Sequence, residues 1–251
     1  MRVDKPVQLA NARQFVGGKG NLCASCHQSR VDAAKVVVET EASKVSSRFG
    51  PHHGPQGDLF AGTNAFEFPG KTYGKSAHAE KISDSCVACH QSLPEGRFSL
   101  SPAVGGHSFN MAGDVHESET LNVSACLSCH PGIKQVAGKD VFDKKALADY
   151  DRDGSLEPFQ YEVEGLLSRL KNDEGTGYLQ SGIVPAFYDK GGAWKAAKEG
   201  TRSVTQMAAL FNYTLFIEDR SRGMHNPTYT IQILYDTIGS LDPAFDVSYR
   251  P

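Results

Sequence analysis

All six cysteines of this 251-residue chain lie in a five-residue pattern that occurs three times. The cysteines are Cys23, Cys26, Cys86, Cys89, Cys126 and Cys129, and the histidines that close the patterns are His27, His90 and His130. Cys-x-x-Cys-His is the signature of c-type haem attachment. Two thioether links hold the porphyrin, and the histidine becomes the proximal ligand of the iron. The sequence therefore predicts three covalent haem c groups.

Paired cysteines of this spacing have two other interpretations, which are zinc sites and short-range disulfides in an exported protein. Neither of them needs a histidine directly after the second cysteine. Zinc ribbons also pair their half-sites, whereas the third cassette of this chain would have no partner. Haem is therefore the favoured interpretation, and metal or disulfide sites are the alternative.

The composition suits a chain built around cofactors. Hydrophobic residues make up 39% of the chain, and glycine is plentiful at 25 residues. Porphyrins supply apolar surface that side chains would otherwise provide. We therefore expect a mainly α fold with a large loop and coil fraction, organised around three stacked haems, with C-terminal helices packing on them.

Charge and hydropathy limit the partners and the location. The net charge is −3 and basic residues form no cluster, so nucleic acid is not an expected partner. No apolar run approaches the roughly 18 residues of a membrane span. Residues 1–20 lack the apolar centre of a signal peptide. Because c-type haem is attached outside the energy-conserving membrane, we expect an exported protein, periplasmic or extracellular, whose signal peptide is not in this sequence.

The chain divides into two parts that we expect to pack as one unit. Residues 1–135 carry the cassettes and are rich in turn-forming residues, so only short helical turns at the cassettes are predicted there, and no strands. Residues 136–251 contain no cysteine and show helical periodicity. The predicted helices lie near Tyr161–Lys171, at about Trp194–Glu218, and from the N-cap pair Asn226 and Pro227 onward.

The histidines outside the cassettes are candidates for the second axial ligand, which closes a reactive five-coordinate iron. The candidates are His52, His53, His78, His107 and His225. His107 follows two glycines that allow close approach to a flat macrocycle, His78 precedes the second cassette, and His225 precedes a helix N-cap. Five candidates exceed three irons, so at least one is not a ligand or serves a neighbouring chain. His116 has acidic neighbours and is predicted to be a solvated surface residue.

A second metal site is predicted in the helical part. Alternating aspartates followed by Gly154 match the opening of a calcium loop, D-x-D-x-D-G. The standard loop ends on a bidentate glutamate, but Gln160 stands at that position, so a nearby glutamate would have to compensate. The candidate ligands are Asp149, Asp151, Asp153, Ser155, Glu157 and Glu162. The alternative is an acidic, solvated turn before a helix.

Four stretches around the candidate ligands carry a family resemblance. They are Pro-His-His-Gly-Pro-Gln at 51–56, Ser-Ala-His at 76–78, Gly-Gly-His-Ser-Phe-Asn-Met at 105–111 and Gly-Met-His-Asn-Pro at 223–227. With the cassettes, they resemble multihaem c-type cytochromes of metal-reducing and sulfur-cycling bacteria. The resemblance implies bis-histidine haems stacked in a continuous chain and a role in respiratory electron export. Some relatives with four or more cassettes form extracellular filaments in which one subunit lends a histidine to the next.

The expected function is electron transfer through three low-potential haems, without acid–base catalysis, so the protein is not predicted to be an enzyme. The expected partners are other redox proteins, extracellular electron acceptors or, in a filament, further copies of the chain. The alternative is a multihaem reductase of a small oxyanion such as nitrite or tetrathionate, which would need an open iron.

Overall fold

The computed structural model describes residues 3, 5–95, 101–180, 187–195 and 202–251. Within this part of the chain, helices alternate with long irregular segments. The helices are α1 (Asn21–Ala24), α2 (Ala33–Glu39), α3 (Gln56–Ala61), α4 (Ala77–Lys81), α5 (Cys86–His90), α6 (Phe159–Leu170), α7 (Val204–Asp219) and α8 (Pro227–Leu241), with 3-10 turns at Gly18–Gly20, Ala42–Lys44 and Gly106–Ser108. The predicted mainly α fold with much coil is confirmed.

The regular structure in residues 1–135 exceeds the sequence-based expectation. Antiparallel hairpins join β1 (Val7–Gln8) to β2 (Gln14–Phe15) and β3 (Ala112–Asp114) to β4 (Glu119–Leu121). The prediction of no strands was therefore wrong, because strands of two or three residues are too short to show alternation of apolar and polar side chains. Helices α2 and α3 were also missed, since each has only one or two turns.

The C-terminal helices follow from local capping signals. In α8, Asn226 is the N-cap, its side chain accepts from the Tyr229 amide, and Pro227 holds the first helical position, as predicted. α7 begins at Val204, later than predicted, because Ser203 and Gln206 form a reciprocal capping box. The preceding residues 196–201 of the predicted helix lie outside the described residues.

The apolar core is built mainly by the three long helices. α7 and α8 pack against each other, α6 lies against both, and α2 contacts α7. The same cluster includes residues of the cassette part, such as Val37, Leu59 and Phe66. The expectation that the helices also pack on haem faces stays a prediction.

Buried polar bonds fasten the irregular residues 65–67 to the long helices. The Phe66 amide donates to Asn212 Oδ1 of α7 at 2.8 Å, and the Ala65 amide donates to the Tyr229 hydroxyl of α8 at 3.1 Å. The Tyr229 hydroxyl in turn donates to Glu67 Oε1 at 2.9 Å. These bonds satisfy backbone groups that secondary structure leaves unpaired.

Among the described residues, no helix combines the length and the apolar character that crossing a bilayer requires.

Candidate functional site

Each cassette adopts one turn of helical backbone. The first begins in α1, the second forms α5, and the third is a turn without a regular helix. The His27 amide donates to the Cys23 carbonyl, and the His130 amide to the Cys126 carbonyl, each at 2.8 Å. In such a turn, residues i, i+3 and i+4 share one face, so both sulfurs and the imidazole point to one side. None of the six cysteines, all of which lie within the described residues, takes part in a disulfide.

Two cassette histidines lie opposite histidines from distant parts of the chain. The ring centroids of His90 and His225 are 6.2 Å apart, and those of His130 and His78 are also 6.2 Å apart. An iron bonded to two imidazole nitrogens at about 2.0 Å each would separate the ring centroids by about 6 Å. Both pairs therefore have the spacing that an axial ligand pair needs.

Hydrogen bonds hold three of these four rings by their Nδ1 atoms. His90 Nδ1 donates to the Phe109 carbonyl at 2.7 Å, and His78 Nδ1 to the Met224 carbonyl at 3.0 Å. His225 Nδ1 bonds Asp219 Oδ1 at 2.6 Å. With Nδ1 engaged, Nε2 is the nitrogen left for binding a metal, which is the usual arrangement in metal-bound histidine.

Electrostatics distinguish the paired rings. Burial lowers the pKa of His90, and the nearby His225 and His27 lower it further. Burial also lowers the pKa of His130, with smaller contributions from His78 and Lys144. Burial would likewise lower the pKa of His225, but the charge and hydrogen bond of Asp219 outweigh it and raise the value. Neutral imidazole is the form that binds metal, so the first two shifts favour ligation.

The first cassette has a different environment. His27 Nδ1 lies 3.1 Å from Gln56 Oε1, but the structure brings no second histidine ring opposite His27 among the described residues. A side chain added at Gly54 would lie 3.8 Å from His27 Nδ1, so this loop runs along the Nδ1 side of the ring. Within the described residues, His27 thus lacks the ring contact that His90 and His130 each make with a distant histidine.

The remaining histidines are exposed. His52 and His53 stack edge to face with centroids 5.2 Å apart, and His53 Nδ1 is 2.8 Å from Glu218 Oε2. His107 lies exposed in a 3-10 turn. His116 is exposed in the β3–β4 hairpin, as expected for a surface residue.

The end of α7 contacts the histidines of several sites. Glu218 bonds His53, and Asp219 bonds His225. Gln56 Nε2 donates to the carbonyls of Glu218 and Asp219 at 3.2 and 3.3 Å, while its Oε1 faces His27. Sequence reasoning missed Gln56, Glu218 and Asp219 as positioning residues. Their only local signal is proximity to candidate histidines, because the contacts join distant segments.

The α7–α8 junction, residues 219–226, also positions α4. The Met224 carbonyl accepts from His78, and Asn226 Oδ1 accepts from the Ser76 amide at 2.9 Å. Asn226 Nδ2 donates to the Phe60 carbonyl at 3.3 Å. One asparagine therefore caps α8 and fixes the start of the helix that carries His78.

The acidic loop brings three of the predicted calcium ligands together. Carboxylate oxygens of Asp149, Asp151 and Asp153 lie within 4.8 Å of one another, and Asp149 Oδ1 is buried without a hydrogen-bond partner. Burial raises the pKa of Asp151 to about 6, and the charges of Asp153 and Glu162 add to the shift. Hard oxygens in such an array suit a calcium ion.

The two predicted glutamates stand outside this cluster. Glu162 is fully buried, and its Oε2 accepts from the amides of Tyr150 and Asp151 at 2.6 and 3.2 Å. Its Oε1 accepts from the Glu157 amide at 3.0 Å. Glu162 therefore shapes the backbone of the loop, while the Ser155 amide donates to Asp153 Oδ1 at 2.7 Å.

Comparison with known proteins supports a distant relation to multihaem cytochromes. The chain is similar to the C-type polyheme cytochrome OmcC of Geobacter sulfurreducens, with 23% identity over 247 residues, which are 87% of this chain and 29% of that protein. OmcB of the same species is 23% identical over 248 residues, 87% of this chain and 30% of that protein. The chain thus spans less than a third of these relatives. No family model and no solved structure matches.

Proposed function

We propose that the chain is an electron-transfer protein carrying three haem c groups. The observation that carries the proposal is the two imidazole pairs at 6.2 Å, each joining a cassette histidine to a histidine far away in the sequence. The haem groups would supply one-electron exchange, at a potential that bis-histidine ligation keeps low. The similarity to polyheme cytochromes supports this assignment.

The ligand pairs follow from the same geometry. We assign His90 with His225 to the second cassette and His130 with His78 to the third. For the first cassette, His27 is the proximal ligand, and its second ligand is His52, His53, His107 or a histidine of another molecule. Gln56, Phe109, Met224 and Asp219 hold rings by Nδ1, so each imidazole is oriented before it binds iron.

Mass spectrometry and EPR spectroscopy test the proposal. Co-expressed with c-type maturation proteins, the protein should gain the mass of three haems and give low-spin, bis-imidazole EPR signals. Replacing both cysteines of one cassette by serine should remove one haem. A colourless product, or a mass without three haems, would contradict the assignment.

A multihaem reductase is the second candidate, and it would use the first cassette, where His27 makes no ring contact with another histidine among the described residues. An open iron there could bind a small oxyanion. Carbon monoxide binding to the reduced protein, together with a high-spin signal that nitrite or tetrathionate abolishes, would support the reductase. Wholly low-spin haem would support the carrier.

Export and assembly are part of the same proposal. We place the protein in the periplasm or outside the cell, where it would pass electrons to redox proteins, extracellular acceptors or further copies of itself. Filaments seen by negative-stain microscopy would support assembly with haem contact between subunits. A monodisperse low-spin monomer would favour a shuttle.

We also propose that Asp149, Asp151 and Asp153 bind one calcium ion that stabilises the loop before α6. The buried, unpartnered Asp149 Oδ1 supports this, because such an atom is costly unless a cation or donor meets it. Calorimetric titration with Ca²⁺ should give one site in the protein and none in Asp153→Asn.

A further inference from the structure

Asp219 occupies an unfavourable position for a carboxylate. It is the last residue of α7, where the helix dipole is negative, and its side chain is only 1% exposed. Both effects make a negative charge costly at this position. The side chain nevertheless bonds His225 Nδ1 at 2.6 Å, and Ser221 Oγ donates to its second oxygen. The contact with His225 offsets the cost of burying the carboxylate.

The two imidazole pairs differ in their electrostatic surroundings. Each pair has one ring bonded to a neutral backbone carbonyl, from Phe109 for one and Met224 for the other. The other two rings differ in the charges near them. Asp219 bonds His225, whereas His130 lines a cavity with Lys144, Lys145 and Asp143, which together carry one net positive charge.

This difference should separate the reduction potentials of the two sites. A carboxylate on Nδ1 gives the imidazole imidazolate character, which strengthens donation to iron and stabilises the ferric form. A nearby cation stabilises the reduced site, which carries one positive charge fewer. The two effects act in the same direction.

Resting on the proposed function, we propose that Asp219 is a positioning residue that sets a reduction potential. The haem of His90 and His225 then has a lower reduction potential than the haem of His130 and His78. An electron that can occupy either haem then resides mainly on the haem of His130 and His78. One iron is oxidised as the other is reduced, and no proton leaves the Asp219–His225 bond. The chain would therefore have a built-in direction for electron flow.

The test is Asp219→Asn, which keeps a hydrogen-bond acceptor but removes the charge. One of three midpoint potentials should rise by about 59 mV, which corresponds to about a tenfold change in the equilibrium constant for one-electron exchange between the two haems. The near-infrared magnetic circular dichroism band of that haem should lose imidazolate character. The affected haem must be the one whose low-spin EPR signal disappears in His225→Ala. Asp219→Glu should restore the potential.

Glu164→Gln is the matched control, because it removes a carboxylate whose partner is Arg222 at 3.0 Å. Equal shifts in both variants, or no shift in Asp219→Asn, would overturn the inference. The proposed function would still stand if the protein carried three low-spin haems. Loss of haem from the unmodified protein would instead contradict that function. If Asp219→Asn fails to fold, Ser221→Ala provides the test. This variant removes the hydroxyl donor from Asp219, leaves more negative charge facing His225, and should lower the same potential. An unchanged or raised potential would overturn the inference.

Discussion

Asp58 should make the stability of this protein depend on pH. Its fully buried side chain accepts from the Ser29 amide at 2.6 Å and from Asn64 Nδ2 at 2.9 Å. The neighbouring Gly57 amide donates to the His27 carbonyl at 2.8 Å, so this region holds the first cassette against α3. Burial outweighs the hydrogen bonds and raises the pKa of Asp58 from 3.8 to about 6.

The sign follows from proton binding. Between these two pKa values, the folded protein keeps the Asp58 proton while the unfolded chain releases it, so the free energy of unfolding falls as pH rises. The contribution is fully present below about pH 4 and is lost above about pH 6. A shift of about two units corresponds to a loss of about 3 kcal/mol.

Asp58→Asn tests this reasoning. The free energy of unfolding of the haem-loaded protein would be measured in guanidinium between about pH 3 and about pH 7. The difference between wild type and variant should change by about 3 kcal/mol across that range, because titration of all other groups cancels. Asp173→Asn, at an exposed position, should give a curve parallel to wild type. A parallel curve for Asp58→Asn would refute the argument.

Further predictions concern the ligands, the ion and the helix cap. His225→Ala and His78→Ala should each make one haem high-spin and able to bind carbon monoxide, whereas His116→Ala should change neither EPR nor carbon monoxide difference spectra. Removing calcium with a chelator should lower the thermal midpoint. The free energy of unfolding should fall by about 2.7 kcal/mol if calcium was present at about a hundred times its dissociation constant. Asp153→Asn should be insensitive to the chelator, and a matching loss there would argue against the ion. Asn226→Ala should cost about 1 kcal/mol in denaturant unfolding for the lost cap, and more as the Ser76 bond is also lost.

Features encoded by contiguous residues could be predicted from the sequence. Covalent haem attachment, which stays a prediction, requires two cysteines and a histidine in five positions, so each cassette is a complete local signal. The start of α8 is equally local, because Asn226 caps the helix and Pro227 suits its first turn. The alternating aspartates of the acidic loop are a local pattern too, and the structure brings the three carboxylates together.

Contacts between distant segments could not be predicted in this way. Gln56 reaches the end of α7 across 162 positions, and no local pattern distinguishes it from a solvated glutamine. Asp219 stands at a helix end, where a carboxylate is unfavourable, and only the fold reveals that it meets His225. Glu162 was predicted as an ion ligand from its spacing, and that spacing does not show that its two oxygens accept from three backbone amides.

The α7–α8 junction explains how a loop-rich part can hold the histidines of three cassettes in defined positions. It contacts the first cassette through Gln56, supplies His225 opposite the second, and holds His78 opposite the third through the Met224 carbonyl. Both flanking helices are anchored in the apolar core, so the junction has little freedom to move. The positions of these histidines are therefore determined by helix packing, and the cassette loops need little regular structure of their own. Because one rigid segment contacts all three sites, a displacement of α7 against α8 would disturb them together.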